Sequence, residues 1–291
     1  MIHPIDDKIK ELSDSQLIKL ESYLNADIMS LFGPMDDYSV QFIRENMERL
    51  VQDIRKKNIL YIILTTYGGS ATAVERYVNI IRQHYEEVNF IVPDYAYSAG
   101  TIFCMSGDKI LMDYYSVLGP IDPQTKNKDG NLVSALGYLD KVNELIAKSK
   151  NNQLSLAEFL ILKELDLADL RAYEQAKELT IDQLKKWLVK YKFKNWNTND
   201  KGGVITEQEK LSLAEEIASK LSDNNLWKSH GRPINIEILE KDLKLEIENF
   251  GKDKKLSGLI KSYYNFIVDY IYKSGHSSFI HTRRCFYGYR W

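Results

Sequence analysis

Long apolar runs are missing from this 291-residue sequence. No stretch reaches the roughly 18 uninterrupted apolar residues that a membrane-crossing helix requires, so no membrane span is expected. The opening MIHPIDDKIKELSD also lacks the charged-then-apolar build of a secretory signal. Cysteine is scarce, with Cys104 inside an apolar run and Cys285 near the tail. Two such distant thiols form neither a disulfide framework nor a zinc cluster, and a reduced, cytoplasmic setting is expected. His3, His84, His230, His276 and His281 are scattered, and no pair has the spacing of a helix metal site. Neither a metal nor a cofactor is expected. Charge of one sign is lacking as well: the net charge is −2 and the isoelectric point about 6.3. That balance gives no general affinity for nucleic acid or anionic membranes. Internal repeats and low-complexity segments are absent.

What remains is an ordinary globular composition, 44% hydrophobic and 27% charged. Three stretches differ in pattern. Residues 1–56 alternate charged and apolar positions at helical spacing and read as an N-terminal helical segment. From about 58 the character changes: ILYIILTT is a short, β-branched, continuous run, as a strand buried on both faces would be. GGS and the helical AVERYVNIIRQHYEE follow, then the strand VNFIVP, the helix start AYSAGTIFCMSG and the strand DKILM. This succession predicts an α/β fold with a mostly parallel sheet and right-handed crossovers. Long charged helices are expected from about 134 to 222, with TNDKGGVITEQ as a surface loop and Trp187, Trp196 and Trp227 filling helix interfaces. The division is therefore 1–56, a main domain over 57–248, and a C-terminal helix with a basic, aromatic tail over 249–291. That tail, HSSFIHTRRCFYGYRW, fits no clear period. It is expected to pack against a neighbouring subunit or to lack fixed structure.

Two turns carry the chemistry. In LTTYGGSATAVERY, Gly68 and Gly69 join a buried strand to a helix. Glycines there permit positive φ and close approach to backbone N–H groups, as an oxyanion hole needs. A phosphate loop is not supported, since the Walker lysine and the G-x-G-x-x-G spacing are both missing. In DYAYSAGTIF, Ser98 stands at the next strand-to-helix turn among small residues. In a parallel sheet, successive turns of this kind open on the same edge. A hydroxyl nucleophile and a set of backbone donors are thus expected to face one crevice.

The segments TTYGGSATA, VPDYAYSAGT and DKILMDYYSVLGPIDPQ resemble the serine dehydrogenase proteinase family. That family belongs to the ClpP/crotonase superfamily and is related to signal peptide peptidase A. The resemblance is strong over about 58–125 and extends more loosely to about 248. It implies a spiral of βα units, homo-oligomeric assembly and a peptide or protein substrate, with a regulatory partner gating access as a further option. It also implies Ser98 as nucleophile, backbone donors at Gly68, Gly69 and Ala99, and an LGPIDPQ loop beside the groove. The histidine that ClpP-like enzymes carry after the KILM strand is absent. Relatives of signal peptide peptidase A use a downstream lysine, which here points to Lys141 in SALGYLDKVNEL. Lys141 acts as a base only if burial lowers its pKa, and its apolar neighbours make partial burial the expectation. His230, oriented by an acid such as Asp122, is the alternative base. Three other readings stay open: a catalytically inactive scaffold or partner-binding module, a crotonase-like acyl enzyme acting on a thioester, and an α/β-hydrolase.

Overall fold

The fold is described from a computed structural model, over residues 4–126, 129–130, 132–198 and 202–290. His3 and residues 199–201 of the expected surface loop lie outside the described residues.

Strands β1 (Asp27–Phe32), β2 (Ile59–Thr65), β3 (Glu87–Val92) and β5 (Lys109–Met112) run parallel, with β9 (Glu248–Asn249) beyond β5. Short β4 (Tyr95–Ala96) and β6 (Val117–Leu118) pair above this sheet, and β7 (Gln124–Lys126) pairs with β8 (Leu132–Ser134). An antiparallel hairpin, β10 (Ser278–Thr282) and β11 (Cys285–Tyr289), completes the main sheet in the order β11-β10-β1-β2-β3-β5-β9. The mostly parallel α/β arrangement expected from the sequence is present.

Helices cover both faces because alternate strand residues point opposite ways. Leu60, Ile62 and Leu64 of β2 face one core, shared with α2 (Asp37–Val51), α3 (Ala71–Arg82), α4 (Ala99–Cys104), α7 (Leu167–Trp187) and α8 (Glu207–Leu221). Tyr61 and Ile63 face the second, shared with α1 (Pro4–Leu24) and α11 (Lys254–Ser274). A strand buried on both sides needs the continuous apolar run that the sequence displays. Each such Leu or Ile contributes about 1.5–3 kcal/mol by leaving water. The remaining helices are α5 (Ala135–Lys150), α6 (Leu156–Lys163), α9 (Asn224–Trp227) and α10 (Ile236–Lys241). Trp187 and Trp227 are buried among the helices, and Trp196 packs half-buried beside them. His84 is half-buried.

Two stretches differ from the sequence-based expectation. Residues 27–32, DIMSLF, lie within the segment read as helical, yet form β1 with all six residues buried. The run is too short to show a period, and helical patterns flank it on both sides. The tail read as subunit-packing or unstructured instead forms β10 and β11 at the sheet edge. Arg283, in the hairpin turn, fastens it: its Nη1 donates to Glu21 and Asp27, each at 2.7 Å. Those partners stand more than 250 positions away, beyond any local signal.

Candidate active site

β2 ends in the Gly68-Gly69 turn, whose φ angles of +106° and +146° side chains rarely adopt. Both glycines are also required by close approach. A Cβ on Gly68 would stand 2.7 Å from the Ser98 Cβ, and one on Gly69 would stand 2.2 Å from the Met35 carbonyl oxygen. Ser70 then caps α3, accepting from the Ala73 N–H at 3.1 Å.

Ser98 follows β4 and immediately precedes α4. Its φ of 51° and ψ of −118° lie outside the ordinary regions for a residue with a side chain. Such a conformation costs about 1–3 kcal/mol and persists only when its surroundings over-determine it. Here they do. Thr66 grips the chain before Ser98, donating to the Tyr95 carbonyl (3.2 Å) and accepting from the Tyr97 N–H (2.9 Å). On the other side, Thr101 Oγ1 donates to the Ala96 carbonyl at 2.8 Å and accepts from the Gly119 N–H at 3.0 Å. The half-buried Ser98 is thereby held out at the carboxyl edge of the sheet. Its hydroxyl makes no hydrogen bond to a described residue.

The expected backbone donors separate into two kinds. The N–H groups of Gly69 and Ala99 have no acceptor among the described residues. Gly68 N–H, expected as a third donor, instead donates to Thr66 Oγ1 at 2.9 Å. Gly68 therefore serves close packing against Ser98, and its N–H is occupied.

The two candidate bases occupy different environments. Lys141 lies on α5 with its side chain 58% exposed, 2.9 Å from the Glu144 carboxylate. The partial burial expected for it is not present, because α5 turns that face to solvent. His230 is held 2.8 Å from Asp122 through Nδ1, with side-chain exposures of 17% and 2%. An antiparallel bridge between Leu118 and Ile234 explains the meeting, since equal steps from it along the two chains bring Asp122 opposite His230. The second carboxylate oxygen of Asp122 has no partner among the described residues. The same loop starts against the serine turn, where a Cβ on Gly119 would stand 2.3 Å from the Tyr97 ring.

Tyrosines surround the opening. Tyr67 and Tyr95 have ring centroids 4.5 Å apart, and Tyr97 stacks on Tyr67 at 6.3 Å. Burial, followed by contact with Tyr67, pushes the Tyr95 phenol far up, so it stays protonated. No group of three potential metal ligands occurs among the described residues. No described helix is long and apolar enough to cross a membrane.

Residues 28–263 match the family model of ClpP-like SDH-type serine proteinases. The chain belongs to that family. Two Methanocaldococcus jannaschii proteins are similar to this family member. "Uncharacterized protein MJ0137" is 33% identical over 183 residues, covering 59% of this chain and 62% of the relative. "Uncharacterized protein MJ1495" is 28% identical over 222 residues, covering 75% and 63%. The match thus spans less than two thirds of either relative's length. Among solved structures, two mutants of the 1510-N membrane-bound stomatin-specific protease are similar to it. One has 15% identity and a TM-score of 0.45, covering 79% of this chain and 81% of that one. The other, in complex with a substrate peptide, has 17% identity and a TM-score of 0.44, covering 76% and 72%.

Proposed function

We propose that this family member is a serine peptidase that cleaves peptide bonds through an acyl-enzyme at Ser98. The observation that carries the proposal is the strained Ser98 backbone beside two N–H groups, those of Gly69 and Ala99, that have no acceptor among the described residues. Ser98 Oγ attacks the scissile carbonyl and gives its proton to a base. The carbonyl oxygen takes up the negative charge and is held by the two N–H groups. Collapse breaks the C–N bond as the base returns the proton to the leaving amine. Water, activated by the same base, then hydrolyses the ester and restores the serine.

We infer that the base is His230, oriented by Asp122. An imidazole works near neutral pH without a large shift, and a buried carboxylate on its other nitrogen fixes the tautomer and stabilises the imidazolium. Lys141, the base implied by the resemblance, would have to leave Glu144 and lose its water to serve. Substrate is taken to be a peptide or protein chain. The exposed apolar helix α6, which has no buried residue, supports homo-oligomeric assembly. A cytoplasmic, reducing compartment fits the two unbridged cysteines.

The test is labelling with a fluorophosphonate between about pH 6 and 9, where an imidazole base titrates. Covalent labelling of the wild type that is lost in Ser98→Ala supports the peptidase. A wild type that does not label at any pH overturns it and leaves a binding module built on the same fold.

A further inference from the structure

A cavity of about 560 Å³ opens beside the serine turn, between the carboxyl ends of β1 and β2 and the helix α11. Gly68 is one of its walls, and the same residue packs against Ser98. A chain lying across Ser98 therefore passes the mouth of this cavity. Much of its far wall, including Tyr264, Val268, Ile271 and Tyr272, lies beyond residue 263, where the family match ends.

The chemistry of the walls is specific. Five phenyl and phenol rings contribute, from Phe32, Tyr67, Tyr95, Tyr264 and Tyr272, and Asp94 brings the only formal negative charge among the described lining residues. No lysine or arginine lines the space among the described residues. His276 does, but burial and then the charge of Arg290 push its pKa below the ordinary imidazole value, so it is neutral at pH 7. Arg290 itself is not a wall residue. Asp94 is half-buried, and its carboxylate forms no ion pair with a described residue and accepts only a long 3.4 Å bond, from Tyr264, among the described residues. An aromatic enclosure with one unneutralised carboxylate favours an apolar stem ending in a cation. A purely apolar ligand would instead leave the Asp94 carboxylate facing it with only the long Tyr264 bond, which is unfavourable.

We propose that this cavity receives a lysine or arginine side chain of the peptide bound across Ser98, with Asp94 as the specificity-determining carboxylate. The assignment rests on the peptidase reading for its substrate, but the cavity is testable without catalysis. The probe is 4-aminobenzamidine, an aromatic amidinium whose fluorescence rises when it leaves water, with neutral 4-aminobenzamide as its control. The 291-residue chain should bind the amidinium saturably and at least about tenfold tighter than the amide, the advantage of a charge placed among rings beside a carboxylate. Asp94→Asn should remove that preference, and Val268→Trp should fill the space and abolish binding, each with an unfolding midpoint confirming a folded chain. A hexapeptide containing one arginine should displace the amidinium better than its leucine or phenylalanine counterparts. Equal binding of amide and amidinium, indifference to both variants, or better displacement by phenylalanine would each overturn the proposal. Fluorophosphonate labelling without amidinium binding would discard the cavity and keep the peptidase. Amidinium binding with the expected variant effects, but no labelling, would keep the cavity and discard the peptidase.

Discussion

His230 Nδ1 lies 2.8 Å from Asp122 Oδ1, although 108 positions separate the two residues. The carboxylate is buried, and its other oxygen has no partner among the described residues. A charge left so exposed to low dielectric is stabilised whenever the imidazole becomes cationic, as a general base must during attack. His230→Ala should lower the fluorophosphonate labelling rate by about 10²–10⁴-fold, the usual worth of a positioned base. Asp122→Asn should fall in the same direction by presenting the wrong tautomer. Labelling rates across the pH range measure both. If Lys141→Ala abolishes labelling while His230→Ala does not, the base is the lysine.

Gly68 packs its α-carbon against the serine turn. Gly68→Ala should abolish labelling, because the new methyl would stand 2.7 Å from the Ser98 Cβ and 2.9 Å from the Tyr97 carbonyl oxygen. Its φ of +106° adds strain, and the loss of stability should fall within about 1–3 kcal/mol. Urea titration and labelling together test this, and an alanine variant of wild-type rate would remove the packing role.

Arg283 is almost fully enclosed and faces three acids: Glu21, Asp27 and Asp53. Arg283→Ala strands Glu21 and Asp27 without their cation, while Asp53 keeps Arg55 and Arg284. The expected cost is about 3–5 kcal/mol, as for other broken buried pairs. Hydrogen exchange of the β10–β11 hairpin should accelerate, because this contact fastens it to α1 and β1. Unchanged exchange there would show that the strand ladder alone holds the tail.

His281 is buried between Asp14 and Tyr263, with Nε2 donating to Asp14 at 2.9 Å and Nδ1 accepting from Tyr263 at 2.8 Å. Burial lowers its pKa below the ordinary 6.5, although Asp14 opposes this. In the window below 6.5 the unfolded imidazole therefore binds a proton that the folded one refuses. Stability should fall as pH drops through that window and be fully present above it. His281→Asn should flatten the dependence between about pH 7 and 5, read from urea midpoints. A slope that persists unchanged in the variant would place the titration elsewhere.

Helix α6 exposes Leu156, Phe159, Leu160 and Ile161, with fractional exposures between 52% and 76%. Leu156, Phe159 and Leu160 share one face, and an exposed apolar face of this kind marks an association surface. The wild type should sediment as an oligomer, and Phe159→Asp with Leu160→Asp should yield monomers. A wild type that is monomeric at micromolar concentration would refute self-association through α6.

The strands β2, β3 and β5, the glycine turn and the serine turn were legible because each is written in consecutive residues. A continuous β-branched run, a glycine pair and a small-residue turn need no distant partner to be recognised. The strand β1 was not legible, since six residues between helical patterns, two of them the polar Asp27 and Ser30, show no period of their own. Gly68 was recognisable as a turn glycine, but only the Thr66 hydroxyl 2.9 Å away reveals that its N–H is occupied.

The sequence by itself determined the parallel βα core and the placing of Ser98 at its carboxyl edge. Both follow from local patterning that any single strand or turn already contains. Tertiary structure alone decided the rest. It left the Lys141 face of α5 open to solvent, brought His230 to Asp122, and drew the tail into the sheet through Arg283. Each of these depends on which faces meet or remain open once the chain has packed, and no periodicity or spacing along one stretch encodes that.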